Sequence, residues 1–295
     1  MNALHDIIQL VFSNFHLIGV VMLSTMGIML CLKTANVANF AQYITSTVGA
    51  YVAGLLVRDF GCSPWIGMIA GVLICFIIGI LLDAVVIRHI GGGNGRVMVT
   101  IALIVIFTAG IPLVFGTIPY NFPRFFQKQI EFTLFGMNFN VTQNGLFVLV
   151  LSLVVIAIIV LALNLTKWGL GVRGTSANMY VAAMMGVNTN MMTALSWGIS
   201  SACGALAAIL LASQTQVINI SMLGTVNSYS LLACVLGGLT SFYGPVIGAA
   251  IIPLVLSLMA FISGIWSSAL LYIAVMLVIL IKPAGLFGKT IQKKV

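Results

Sequence analysis

Few side chains in this sequence can do acid–base or nucleophilic chemistry. Asp83 is the only carboxylate inside a hydrophobic stretch, and Arg88 follows five residues later. An ionisable group at membrane depth marks either a proton or ion site or a structural pair. Asp83 lies near the end of its stretch, within reach of Arg88, Arg96 or His89, which favours the pair. His16 has no second His or Cys spaced to share a metal, so it reads as a helix-packing residue. The five cysteines (Cys31, Cys62, Cys75, Cys203, Cys234) also lack metal spacing, and four fall in apolar segments as small buried hydrophobes. Two glycine segments imitate phosphate loops and fail on detail. Gly91–Arg96 (GGGNGR) lacks the lysine and hydroxyl. Gly288-Lys289-Thr290 has Pro283 where the earlier glycine is required, with no strand before it or helix after it. No Ser-His-Asp set or carboxylate pair is present. The chain is therefore expected to be neither an enzyme nor a nucleotide binder, with no metal and no cofactor of its own.

The remaining candidates are uncharged. Asn36, Asn39, Gln42, Thr45, Ser46 and Thr47 crowd the start of one membrane segment, within Thr34–Gly54. Facing lipid they would be costly, so they face other helices or a wet cavity. Asn36, Asn39, Gln42 and Thr45, with Ser241 from a second interrupted segment, are candidates for a solute path; inter-helix hydrogen bonding is the alternative. Gly237, Gly238, Gly244, Pro245 and Gly248 permit close backbone approach and a sharp turn, as a packing surface or a hinge. Gly67–Gly71 is a further small-residue pair, and Ser200, Gly204, Ala208 and Ala212 form a stripe that reads as a packing face.

The elements that must hold these residues follow from composition. Of 295 residues 61% are hydrophobic and 5% charged, and mean hydropathy is +1.22. A soluble domain carries about a quarter charged residues, so this is a polytopic membrane protein of the all-α class. The twelve Lys and Arg are dispersed, which excludes a nucleic-acid footprint. The start has no basic region and an early Asp6, unlike a cleavable signal. Apolar runs predict spans at 12–32, 38–57, 64–87, 97–116, 145–165 and 191–213, a broken stretch at 228–263, and 266–282. Counting the broken stretch as two gives about eight to nine transmembrane or half-spanning helices in one domain, 1–295. Placing 167–190 in the cytoplasm puts nine of the twelve basic residues there and leaves Arg58, Arg124 and Lys128 outside with Asp6, Asp59 and Glu131. That bias predicts N-terminus out and C-terminus in. Trp65, Trp168 and Trp266 fall at span ends, as interfacial indoles do. The largest outside piece is 119–144, large enough for a lid or docking surface.

The loop 167–190 cannot span. Ser176 is a candidate N-cap and Gly186 a candidate left-handed terminator. Between them Ala177, Tyr180, Val181, Met184 and Met185 form an apolar stripe at helical spacing. A helix of that size is roughly 15 Å long, about half a bilayer, so it lies beside the membrane and is expected to touch something outside it.

NFAQYITSTVGAYV, WGLGVRGTSANMYVAAMMGVNTNMM, VLGGLTSFYGPVIGA and IKPAGLFGK, taken together and in this order, resemble one family, the branched-chain amino acid permeases of ABC importers. NFAQYITSTVGAYV is similar to that family's NFA-x-G…GAY segment, and WGLGVRGTSANMYVAAMMGVNTNMM to its cytoplasmic coupling loop. VLGGLTSFYGPVIGA resembles its LGG-x-GS turn, and IKPAGLFGK its RP-x-GLFG ending. Order and spacing match from about Asn36 to Lys289. The resemblance implies a permease subunit paired with a second, related one, two cytoplasmic ATPase subunits that carry ATP and Mg, and an extracytoplasmic substrate-binding protein. It implies a place in a bacterial plasma or inner membrane, and as cargo a branched-chain or other hydrophobic amino acid. The same machinery carrying urea, a nucleoside or a sugar, and an ion-coupled carrier, are the rival readings. By position the coupling helix is Ser176–Gly186, with Arg173 before it and Asn178, Ala182 and Ala183 within it. This chain departs from the pattern in lacking acidic residues after Arg173, and in having Gln42-Tyr43 where His and Gly are usual.

Overall fold

The computed structural model describes residues 3–134, 137–239 and 241–288. Twelve α-helices follow in order: α1 Ala3–Ser13, α2 Phe15–Ala35, α3 Gln42–Asp59, α4 Pro64–Val85, α5 Gly93–Phe115, α6 Gln143–Leu165, α7 Lys167–Ala177, α8 Met179–Met184, α9 Thr189–Thr215, α10 Gly224–Gly237, α11 Gly244–Ile262 and α12 Ser267–Ile281. Short strands β1 (Tyr120–Asn121), β2 (Gln129–Leu134), β3 (Met137–Thr142) and β4 (Val217–Ile218) lie between them. Among the described residues six helices are long and apolar enough to cross a membrane, namely α2, α4, α5, α6, α9 and α11, and α12 is a shorter apolar helix. The expectation of a helical polytopic membrane protein holds at that level.

Local chemistry sets several boundaries. Pro64 starts α4, where its missing N–H costs nothing, and Ser63 Oγ accepts from Trp65 N–H. Thr142 caps α6 and Asn188 caps α9 in the same way. α2 and α9 end on residues in the left-handed region, Asn36 at φ 53° and Gln216 at φ 61°.

α2 and α9 form the centre and are buried over nearly their whole length, while α4, α5, α6 and α12 carry the exposed apolar faces that lipid requires. Close packing at the centre depends on small residues. A Cβ on Gly71 would strike the Gly49 carbonyl, one on Gly79 the Trp197 carbonyl, and one on Gly204 the Ser46 hydroxyl. This is the backbone approach that small residues permit between membrane helices, and it assigns the Gly67–Gly71 pair and the Ser200–Ala212 stripe to packing.

Two regions differ from the expected outline. The first apolar run, expected at 12–32, is two helices parted at Asn14, whose amide donates to Ser257 Oγ on α11 at 2.8 Å. The 119–144 piece, expected as a lid or docking surface, carries strands: β2 and β3 form an antiparallel pair from Gln129↔Thr142 to Leu134↔Met137, and β1 pairs with β4. The outer edge of β3 is covered by α1, with Gln9 exchanging hydrogen bonds with both the carbonyl and the N–H of Asn140. Covering an edge in this way satisfies its free backbone groups.

Candidate functional site

The loop 167–190 marks one end of the bundle, and the interrupted segments gather there. Arg96 on α5 donates to the Ala35 carbonyl at the end of α2, and Lys33 Nζ lies 5.7 Å over the Phe242 ring in the turn between α10 and α11. Tyr243 in the same turn donates to Asn164 near the end of α6. Lys33, Arg88, Arg96, Lys167, Arg173 and Lys282 all lie at this end, and Arg58, Arg124 and Lys128 at the hairpin end. Lys289, Lys293 and Lys294 fall outside the described residues.

From this end the chain turns back into the bundle. After Asn36, residues 37–41 run without helix to α3, whose first residue Gln42 is fully buried. Gln42 Nε2 donates to the Ser24 carbonyl of α2 at 3.0 Å, and its Oε1 accepts from Ser200 Oγ of α9 at 2.9 Å. Ser24 lies eleven residues before Ala35, roughly 16 Å back along α2. α3 therefore begins deep within the layer that α2 crosses, and Gln42 ties three helices together there.

The five path candidates do not meet at one point. Asn36 is exposed at the loop end. Asn39 is buried, and its Oδ1 has no hydrogen-bond partner among the described residues. Thr45 donates back to the Ala41 carbonyl within its own helix, at 3.1 Å. Ser241 Oγ accepts from Gly244 N–H at the start of α11. Asp83 is paired as expected, with Arg88 Nη2 at 3.3 Å; Thr193 donates to the same carboxylate oxygen, and Arg88 also donates to the Asn190 carbonyl.

Gly237, Gly238, Gly244, Pro245 and Gly248 are clamped rather than open. A Cβ on Gly237 would strike the Gly244 carbonyl, and one on Gly248 would come within 2.7 Å of the Ala233 carbonyl. Gly238 adopts φ 93° and faces Gly285 at φ 79°, where backbones meet at distances no side chain would allow. Leu286 and Phe287 N–H donate to the Leu236 and Gly237 carbonyls, so the segment after α12 closes on the end of α10. Sequence reasoning did not connect these two glycine segments, although both carry the residues for such a contact.

The helix in the 167–190 loop starts later than expected. Ser176 lies inside α7, and the N-cap of α8 is Asn178, whose Oδ1 accepts from Tyr180 and Val181 N–H at 3.0 and 3.1 Å. Both residue types cap helices well, and only the fold chooses between them. Gly186 adopts φ 84° and ends the helix, with Val187 N–H returning to the Ala182 carbonyl. α7 is anchored: Gly169 packs against the Leu163 carbonyl and Gly171 against Met192 Sδ. Ala182 is buried, whereas Arg173 and Ala183 are exposed. The apolar stripe faces solvent: Tyr180 is 82% exposed, Val181 49%, Met184 87% and Met185 81%. A groove of about 450 Å³ runs beside it, lined by Leu170, Gly174, Ala177, Val181, Met185 and others. Three large apolar side chains on one short helix, with Met185 just past its end, form an exposed apolar surface of the kind that partners cover.

A model of the family described as branched-chain amino acid transport system / permease component matches residues 11–280. The chain is 26% identical over 287 residues to the probable branched-chain amino acid transport permease protein LivH of Methanocaldococcus jannaschii, covering 92% of this chain and 89% of that one. It is 22% identical over 300 residues to the high-affinity branched-chain amino acid transport system permease protein LivH of Salmonella typhimurium, covering 98% and 97%. It is 23% identical over 271 residues to the corresponding protein BraD of Pseudomonas aeruginosa, covering 87% and 88%. No solved structure matches it significantly.

Proposed function

This chain belongs to the branched-chain amino acid transport permease family, and on that premise we propose that it is one membrane subunit of an ATP-driven importer for branched-chain or other hydrophobic amino acids. The observation that carries the reading is the exposed apolar face formed by Tyr180, Val181 and Met184 of α8 with Met185 at its end, on a loop anchored to the ends of α6 and α9. One of two ATPase subunits, which bind the ATP and Mg, covers that face and the adjoining groove, and the other covers the loop helix of the second permease subunit. The end bearing Lys33, Arg88, Arg96, Lys167, Arg173 and Lys282 then lies in the cytoplasm, as the bias in Lys and Arg requires. The opposite end, with α1 and the β2–β3 hairpin, meets an extracytoplasmic binding protein. Nine helices, α2–α6 and α9–α12, cross or partly cross the membrane in one domain.

The coupling runs through the loop's anchors. Movement of α8 is delivered to α9 through the Asn188 cap and the contact of Gly171 with Met192. α9 carries Ser200, and Ser200 holds Gln42 against α2, so a shift of α9 acts on the deep start of α3. Gln42, Thr45 and Ser241 are occupied by bonds within the chain. The solute path is therefore shared with a second, related permease subunit, whose apposition leaves Asn36 and Asn39 at or near it.

The test is reconstitution in liposomes with the candidate ATPase, second permease and binding protein. Leucine, isoleucine or valine with the binding protein should stimulate ATP hydrolysis and accumulate inside. Accumulation driven by an ion gradient without ATPase subunits would overturn the reading.

A further inference from the structure

α5 packs against α3 along one side, where Leu103 is buried and Phe107, Gly110 and Ile111 share a groove with Val48. The opposite side is bare. Ile101, Val105, Thr108 and Pro112 recur there at helical spacing, with Ala102 and Ala109 beside them. Val105 is 67% exposed, and Thr108 and Ala109 are exposed as well. The faces that α4 and α6 turn to lipid are apolar throughout their middles, with Ile69, Leu73 and Ile77 on one and Val150, Val154 and Ile158 on the other. α5 differs at Thr108, which lies four residues past Ile104, the middle of the helix, and so about 6 Å from its centre. Thr25, Thr34, Thr45 and Thr47 each return their hydroxyl to the carbonyl four residues back. The Thr108 hydroxyl makes no such bond, nor any other among the described residues. Pro112 adds to this, because it has no N–H to give the Thr108 carbonyl. Thr108 thus brings a free hydroxyl, and a carbonyl deprived of its helical donor, to one exposed spot inside the apolar layer.

Acyl chains can neither donate to nor accept from such groups, whereas a neighbouring helix with a hydroxyl or amide side chain can do both. Ala102 and Ala109, on either side of Val105, let a second backbone come close. The position of the face selects the neighbour. α5 starts beside Asn36, which shares a cleft with Gly93 and Arg96, and Asn36 is the residue left exposed for a path shared between two permease subunits. We propose that the second, related permease subunit seats on this face of α5, with a polar side chain of its facing helix meeting Thr108. The identity of the partner rests on the importer reading; the need for a protein neighbour at this face rests on Thr108.

The test uses the full chain co-expressed with the candidate second permease, ATPase and binding protein. The photoreactive residue p-benzoylphenylalanine replaces Val105 on α5, or Ile77 on α4 or Val154 on α6 as lipid-facing controls, and adducts formed in native membranes are identified by mass spectrometry. Position 105 should crosslink to the second permease subunit, and positions 77 and 154 should not. Thr108→Val should weaken retention of the second subunit about 3- to 10-fold, the range of one interhelical hydrogen bond, and Thr108→Ser should restore it. Ala109→Trp should abolish retention. The unfolding midpoint of the chain purified alone should stay as in the parent in all three variants, because both positions are exposed. Adducts at 105 with lipid only, in a complex that keeps the second subunit and transports leucine, would overturn this interface and leave the importer reading intact. Adducts with a second copy of this chain would overturn the choice of partner. Equal adducts at 77 and 154, or retention unchanged in both Thr108→Val and Ala109→Trp, would overturn the proposal. Adducts at 105 with the second subunit, in a complex without ATP-driven transport, would uphold the interface and overturn the importer reading.

Discussion

Replacing Gly186 with valine separates the presentation of α8 from the fold as a whole. Gly186 sits at φ 84°, and a Cβ there would meet nothing within 4 Å, so any penalty comes from the backbone and not from a clash. An L-residue in the left-handed region costs about 1–2 kcal/mol, and a β-branched one lies at the upper end. The bonds at risk are Gly186 N–H to the Ala183 carbonyl and Val187 N–H to the Ala182 carbonyl, both 3.0 Å, which close the end of a helix of only six residues. A penalty of that size shifts the local equilibrium roughly 5- to 30-fold toward open forms. α8 is at the surface, so the shift appears as local opening and not global unfolding. Amide exchange over residues 178–187 should accelerate by that factor while the thermal midpoint and membrane insertion stay as in the parent. In the reconstituted importer, substrate moved per ATP should fall. Gly186→Asn, which tolerates this backbone region better, should remain near the parent on both measures. Exchange and coupling both unchanged in Gly186→Val would refute the assignment of Gly186 as the helix terminator.

Gln42→Leu removes the acceptor of Ser200 Oγ and the donor to the Ser24 carbonyl, and should lower stability by about 1–2 kcal/mol in detergent unfolding, in line with interhelical hydrogen bonds in membranes; a Gln42→Leu midpoint equal to the parent's would remove the tie it is assigned. Arg88→Gln leaves the buried Asp83 carboxylate with the Thr193 hydroxyl as its remaining hydrogen-bond donor among the described residues and should cost about 3 kcal/mol, while Asp83→Asn with Arg88→Gln should recover much of it. A double variant no better than the single one would show that the pair is not what the network protects. His5 at the hairpin end titrates above its ordinary value because the protonated ring donates to the Asn138 carbonyl, and Asp6 adds to the effect. A raised folded value means the contact stabilises fully below about pH 6.5 and is lost as pH rises through the folded value. Exchange protection of the Asn138–Asn140 amides, corrected for intrinsic rate, should fall over that window and lose its pH dependence in His5→Gln.

Features governed by a local rule were legible in the sequence. Long apolar runs located the helices to within a few residues because the period and length of a membrane segment are properties of the segment alone, as α6 at Gln143–Leu165 against 145–165 illustrates. The left-handed Gly186 was legible for the same reason. Where two residues satisfied one rule, the sequence could not choose: Ser176 and Asn178 are both good caps, and the helix began at the later one because α7 continues to Ala177. The β2–β3 hairpin was missed because its cue, alternation over six residues, was short beside the apolar runs around it.

What could not be read was partnership at long range. Gln42 and its neighbours announce polarity in an apolar layer, and that observation fits a solute path and an inter-helix tie equally well. The distinction lies in Ser24 and Ser200, eighteen residues before Gln42 and 158 after it. Gly238 and Gly285 pose the same problem in glycine form, since each reads as a turn until the other is found against it. Asn39 poses the question most directly, buried with an amide oxygen that no group among the described residues meets. An amide carbonyl left that way costs about 1–3 kcal/mol unless something else supplies a donor. It lies three residues before the point where α2, α3 and α9 are tied together. Asn39→Leu should therefore leave stability unchanged or raise it in the isolated chain, and should lower transport in the assembled importer. A loss of stability in the isolated chain would show that Asn39 is a packing residue after all.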